Sequence, residues 1–269
     1  MVYAPGAAAC SETVPPLVRP TPAAVRSPLP PLIARSAIAV EKYLLPWLYA
    51  YFAYNRGASI FDQVRDNPAE YNLLFFAGLT KDILVFVLMV FTGVTLLFSR
   101  RPTSLPDRLT HIVVPLAMSY YFFLYDQVDR LPAAMNRSLL PETWTLPCDF
   151  LALTCSVLGY GVAIWGLSYL RRSFALMVAV RKVVDGGPYA LVRHPMYCGY
   201  ILDQCGLVLA SRSVVMLVLA VGFVLLLFWR ARMEEAKLSQ TSEDYRRYMQ
   251  RTGFLLPRFG ARFSRSRAS

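Results

Sequence analysis

Two clusters of residues have the types and spacing to do chemistry. In the first, Arg193-His194-Pro195 follows Gly187-Pro188-Tyr189 and precedes Tyr197 and Gly199. The residue before a proline avoids the α region, and proline suits the first position of a helix. His194 is therefore expected as the N-cap of a helix that begins at Pro195. Such a helix start, with an arginine beside it, attracts a carboxylate or a phosphate, and Gly199 removes a side chain so that another group can come close. The second cluster is Glu234-Glu235, followed by Tyr245, Tyr248 and Met249 at helical spacing. On residue types alone, these features describe interfacial anchors at a loop-to-membrane junction as readily as they describe a binding site.

The elements that must position them are read from composition. The chain has 269 residues, mean hydropathy +0.41, 56% hydrophobic and 17% charged residues. A soluble domain of this length carries about a quarter charged residues, and here long apolar runs account for the shortfall. The chain is expected to be an all-α integral membrane protein. Its net charge of +11 lies mostly at the flanks of apolar runs, which makes it a topology signal and argues against nucleic acid as a partner. The five cysteines include no CxxC, and Cys148/Cys155 and Cys198/Cys205 sit at helix-face spacing, as packing residues do. His111 and His194 are the only histidines, too few for a histidine-based metal site.

Along the chain, residues 1–35 are rich in proline and alanine and are expected to form a disordered tail. Ala7-Ala8-Ala9-Cys10 has the form of a processing site, but no apolar core of signal length precedes it, so no cleaved signal is expected. About six transmembrane helices follow. The first covers Ser36 to Tyr54, with Glu41 and Lys42 expected to snorkel to the interface. The next three cover about Asn72 to Phe98, Leu109 to Tyr125, and Leu146 to Leu170. The fifth and sixth, Met196 to Ala210 and Val214 to Trp229, form a hairpin through Ser211-Arg212-Ser213. Thr241-Ser242-Glu243-Asp244 has capping-box form and opens a last short helix. If both termini are cytoplasmic, the segments on that side hold 21 of the 28 Lys and Arg residues. This asymmetry supports the topology and sets Gly187 to Tyr197 at the cytoplasmic face. The hairpin then returns Glu234-Glu235 to the face that bears His194.

The motif G-P-Y-x-x-x-R-H-P-x-Y-x-G, an apolar hairpin, E-E-x-x-L and Y-x-x-Y together resemble the isoprenylcysteine carboxyl methyltransferases and their relatives, the phospholipid N-methyltransferases. The resemblance covers about Gly187 to Pro257. It implies S-adenosylmethionine as cofactor, held between the hairpin and a C-terminal helix that covers the pocket. The cofactor residues would be Tyr189, Arg193, His194, Tyr197, Gly199, Glu234, Glu235 and Tyr248. His194 and Arg193 would be the catalytic pair, His194 first as a cofactor ligand and then as the histidine placed to accept a proton. The chain then divides into a tail (1–35), a four-span scaffold (36–170), a methyltransferase core (171–259) and a basic end (260–269). The implied acceptor is a lipophilic small molecule, a lipid or a prenylated cysteine, reacting through a carboxylate, amine or thiol. The alternatives are an NADPH-dependent sterol-type reductase, against which Met196 replaces the expected asparagine, and a non-catalytic membrane protein. Arginine far exceeds lysine, and the tail lacks eukaryotic sorting signals, which points to a bacterial inner membrane.

Overall fold

Helix ends in this chain are set by side chains that satisfy free backbone amides. Asn72 accepts from Phe75 N at 2.9 Å, Ser213 from Met216 N at 3.4 Å and Ser242 from Tyr245 N at 3.2 Å, and Pro195 takes the first turn of its helix. The computed structural model describes residues 29–66, 72–100, 102–128, 141–180 and 183–258. Among these, every extended element is a helix. Helix α1 (Pro31–Ala39) runs through a π turn at Val40–Leu44 into α2 (Leu45–Asp66). Then come α3 (Leu73–Leu97), α4 (Thr110–Val128), α5 (Thr145–Leu170), α6 (Pro195–Ser211), α7 (Val214–Thr241) and α8 (Glu243–Arg251). Of the tail expected over residues 1–35, residues 1–28 lie outside the described residues, but Pro31–Arg35 already belong to α1, since a proline is tolerated in the first turn of a helix; the basic end, 260–269, lies outside the described residues.

Three of the described helices are long and apolar enough to cross a membrane: Leu73–Leu97, Val214–Thr241, and Thr145–Ser173, which includes the 3-10 turn after α5. Their outward faces are themselves apolar. Val87, Val90, Val94 and Leu97 on α3, and Val218, Val221 and Leu225 on α7, are exposed, while Leu88, Leu96, Phe223 and Leu227 of the same helices are buried. Apolar faces on both sides of a helix fit a lipid surround, not water. Helix α6 is shorter, 17 residues or about 25 Å, and leans on α5 over its whole length.

Among the described elements, the α5–α6 seam is the most extensive contact. Ala152, Ser156, Gly159, Ala163 and Gly166 form a small-residue stripe on α5. Gly199 and Gly206 face it from α6. A Cβ on Gly159 would stand 2.6 Å from Gly199 O, and one on Gly199 would stand 2.5 Å from Gly159 O. The close approach at Gly199 is therefore made by a neighbouring backbone, as in small-residue packing of membrane helices.

Charges within the spans are met by partners. Asp82 sits 3.3 Å from Arg56 Nη1 and accepts from Gln63 Nε2 at 3.1 Å, across the α2–α3 seam. Glu41 does not snorkel. It is fully buried and accepts from Leu176 N at 3.0 Å and Met177 N at 3.4 Å. The free amides of that buried loop need an acceptor, and the π turn supplies one. At the hairpin, Arg212 takes a left-handed conformation (φ 51°) and its Nη1 donates to Asp149 Oδ1 at 2.8 Å. Cys148, Cys155, Cys198 and Cys205 are free thiols.

The seam makes a direct prediction. Gly159→Ala forces two backbones apart and is expected to cost about 1–3 kcal/mol. Gly161→Ala, where nothing lies within 4 Å, leaves stability unchanged or slightly raised. Thermal unfolding of the two variants in detergent distinguishes them.

Candidate functional site

The turn Gly187–Ala190 delivers the chain from α5 to the start of α6. Gly187 has φ +59°, and any side chain there would collide with the Tyr169 ring. His194 occupies the N-cap position with non-helical backbone angles (φ -127°, ψ 60°), but its side chain caps no amide. Instead its ring stacks on Tyr197 (centroids 5.0 Å apart, 6° between planes), meets Phe254 edge-on at 5.0 Å, and sets Nε2 3.3 Å from Glu235 Oε1.

Arg193 is the hub. Its Nε donates to Glu235 Oε1 at 2.5 Å, and Nη1 donates to Met249 O at 3.1 Å and Thr252 O at 2.5 Å. Its backbone N–H donates to Gly253 O at 2.8 Å, and that of His194 to Phe254 O at 3.3 Å. The start of α6, the end of α7 and the segment after α8 are thus tied together. Nη2 of Arg193 has no partner among the described residues.

Glu234 and Glu235 are consecutive on α7, so their side chains diverge by about 100°. Glu235 turns to Arg193 and His194. Glu234 accepts at Oε1 from the Tyr197 hydroxyl and from Arg230 Nε, each at 2.9 Å. Arg230, buried and one turn earlier on α7, also donates from Nη2 to Ala175 O at 3.1 Å. The segment 174–178 is held besides by Glu41 and by Val178 N, which donates to His111 O at 3.2 Å.

These groups surround a cavity of about 190 Å³. Tyr189, Arg193, His194, Tyr197, Glu234, Tyr245 and Tyr248 line it at the His194 end, and Leu88, Met89, Met118 and Phe223 line it among the helices. Of the residues expected from the sequence, Gly199 and Glu235 are not on this wall. Gly199 belongs to the α5–α6 seam, and Glu235 holds Arg193 from behind. The Tyr248 hydroxyl donates to Tyr189 O at 2.7 Å. Burial first, and then nearby Glu234, pushes the Tyr189 phenol well above its ordinary pKa, and burial does the same for Tyr245 and Tyr248. All three stay neutral. Asp107 is held below its ordinary value although burial alone would raise it, because Lys237 of the cavity wall donates to it at 2.9 Å.

Sequence reasoning passed over Arg230, Tyr200, Tyr49 and Ser119, which also line the cavity. Arg230 could have been found from its i,i+4 spacing to Glu234. Tyr49 and Ser119 carry no local signal, since only the packing of α2 and α4 brings them here.

Residues 148–244, from within α5 to the start of α8, match the phospholipid methyltransferase family model. Over 120 residues the chain is 35% identical to the cobalt-zinc-cadmium resistance protein CzcN of Cupriavidus metallidurans. That match takes in 43% of this chain and 52% of the relative, so the chain spans about half the length of that curated protein.

The hub can be tested directly. Arg193→Lys keeps the charge but cannot reach Glu235, Met249 O and Thr252 O together. It should cost about 1–3 kcal/mol and speed amide exchange at residues 193–194 and 243–255, with α3 and α5 unchanged. Exchange measured by mass spectrometry reads this.

Proposed function

We propose that this chain transfers a methyl group from S-adenosylmethionine to a lipophilic acceptor, at the membrane face that the arginine and lysine distribution makes cytoplasmic. The observation that carries this reading is the cavity lining: charged and aromatic around His194, and more apolar among the helices, where Leu88, Met89, Met118 and Phe223 stand beside the hydroxyls of Tyr49, Thr92 and Ser119. The family match supports methyl transfer as the chemistry.

The donor set suits this cofactor. Arg193 keeps Nη2 open for a carboxylate, and Glu234, whose Oε1 is already occupied, keeps Oε2 open for an ammonium or for ribose hydroxyls. The neutral rings of Tyr189, Tyr245 and Tyr248 suit an adenine, or a sulfonium through cation–π attraction. When bound, S-adenosylmethionine supplies an electrophilic methyl on sulfur. The protein's part is alignment and exclusion of water. Glu235 fixes Arg193, and the stacked pair His194–Tyr197 fixes the direction in which the Tyr197 hydroxyl meets Glu234. With Nε2 against Glu235, His194 serves as an orienting residue. Its partner carboxylate holds the ring in place, as a carboxylate commonly does for a working histidine. The acceptor's lipophilic body would reach the reacting methyl from the apolar end, between the helices.

Calorimetric titration of the purified protein with S-adenosylmethionine and, separately, NADPH tests the reading. Binding of S-adenosylmethionine and not NADPH is expected. Glu234→Gln should weaken that binding about tenfold or more, ~1.4 kcal/mol, without lowering the melting temperature. NADPH binding alone, or full affinity in Glu234→Gln, would show the assignment to be wrong. Incubating membranes with radiolabelled S-adenosylmethionine and sorting lipid, protein and volatile products then identifies the acceptor.

A further inference from the structure

Towards its C-terminal end, the outward face of α7 changes character in order. Val218, Val221 and Leu225 are exposed, then Phe228 and Trp229, then Arg232. The steps along this series are of three and four residues, so the side chains share one face of the helix. Apolar, then aromatic, then basic is the order met by a helix that passes from hydrocarbon into the headgroup layer. Arg232 is thereby set at headgroup depth, on a face that suits lipid.

The segment after α8 returns to that depth. The Phe254 ring stacks on Phe228, with centroids 5.9 Å apart, and Arg232 Cζ lies 5.2 Å from its centroid. Leu255 O accepts from Cys198 Sγ of α6 at 3.2 Å. The next residues turn outward. Leu256 is 79% exposed, and Pro257 and Arg258 are exposed as well. At the edge of a bilayer this sets the leucine against acyl chains. Of the two arginines around it, neither has a carboxylate partner among the described residues. Arg232 makes no ion pair, and Arg258 donates through Nη1 to the carbonyls of Met249 and Gln250. The neighbouring acids of α7, Glu234 and Glu235, are engaged by Arg230 and Arg193. By contrast Arg246, on α8, is paired with Glu243. Guanidiniums beside an exposed apolar residue suit a phosphate that carries hydrocarbon. A soluble anion would use the arginines alone, and a zwitterionic headgroup would bring its own cation beside them.

We propose that Arg232, Leu256 and Arg258 form a binding site for an anionic phospholipid of the adjacent leaflet, outside the cavity, and that this lipid is a bound regulator and not the methyl acceptor. Phe254 carries its effect inward. The ring that meets Arg232 also meets His194 edge-on at 5.0 Å and lies 5.8 Å from Arg193 Cζ. A phosphate on Arg232 holds that ring in place, so the charge of the membrane surface steadies the start of α6. Lipid binding here is independent of methyl transfer; only its influence on the cofactor rests on the methyltransferase reading above.

The test places the full chain in nanodiscs of phosphatidylglycerol and phosphatidylcholine in equal parts and counts the retained lipids by native mass spectrometry. Phosphatidylglycerol should be retained about tenfold over phosphatidylcholine. Arg232→Gln should lower that preference about fivefold, the effect of one arginine near an anionic surface. Arg246→Gln, at the paired arginine, should leave it unchanged. Hydrogen exchange at residues 252–258 should be slower in phosphatidylglycerol than in phosphatidylcholine, and Arg232→Gln should abolish the difference. Equal retention of the two lipids, an unaltered Arg232→Gln variant, or an equal loss in Arg246→Gln would overturn the lipid site. Displacement of the lipid by millimolar inorganic phosphate would overturn it too, by marking an ion site. S-adenosylhomocysteine, which has no net charge for the surface to attract, should bind about threefold more tightly in phosphatidylglycerol, and equal affinity would overturn the coupling through Phe254. Failure to bind it in either lipid would instead overturn the methyltransferase reading itself.

Discussion

The arrangement at the His194 face depends on one buried ion pair, Arg193 with Glu235. Their side chains are only 10% and 6% exposed. Taking both charges out of water is costly, and the cost is met only when the remaining donors also find partners. Here Nη1 does, reaching two carbonyls at the end of α8, while Nη2 has no partner among the described residues. The pair therefore closes three elements on one point. It sets where α6 begins relative to where α7 ends, and it holds the segment after α8 beside His194. The α6–α7 hairpin brings the two groups together, and the α5–α6 seam gives that hairpin a rigid back.

The cavity draws its character from lying between two solvents. At one end, phenols and charged groups gather on short connecting segments and the exit of α7. At the other, the walls are side chains of helices whose outer faces suit lipid. Tyrosines recur on the wall because each has an apolar body with one polar atom, which suits a boundary of this kind. The Arg230–Glu234 pair stands where the two halves join. Its geometry is fixed from the side by the 174–178 segment, which Glu41 in turn secures through the π turn. A residue near the N-terminal end of the described chain thus stabilises the wall beside the site.

Much of the local structure was legible in the sequence. Pro195, Asn72, Ser213 and Ser242 begin their helices because capping and proline geometry depend on neighbouring residues alone. The continuation of α7 well past Trp229 was also readable, since nothing in Arg230 to Leu238 breaks a helix. Gly199 was correctly read as a place of close approach, but the group that approaches is the backbone of α5. Glu41 was expected at the interface from its charge, and is buried because a loop far along the chain needs an acceptor. The pair Glu234-Glu235 invited a single shared role, whereas the pitch of α7 sends the two carboxylates to different partners.

By itself, then, the sequence determined the helical class, most helix boundaries, the long apolar runs and the motif that joins α6 to its preceding turn. These follow from hydrogen bonding and solvation within a few residues of chain. Only the tertiary structure decided which carboxylate faces the cavity, which arginine keeps an open donor and which distant hydroxyls enclose its inner part. Those outcomes depend on which helices meet, and the energy of a buried charge or hydroxyl is set by partners that the local sequence does not contain.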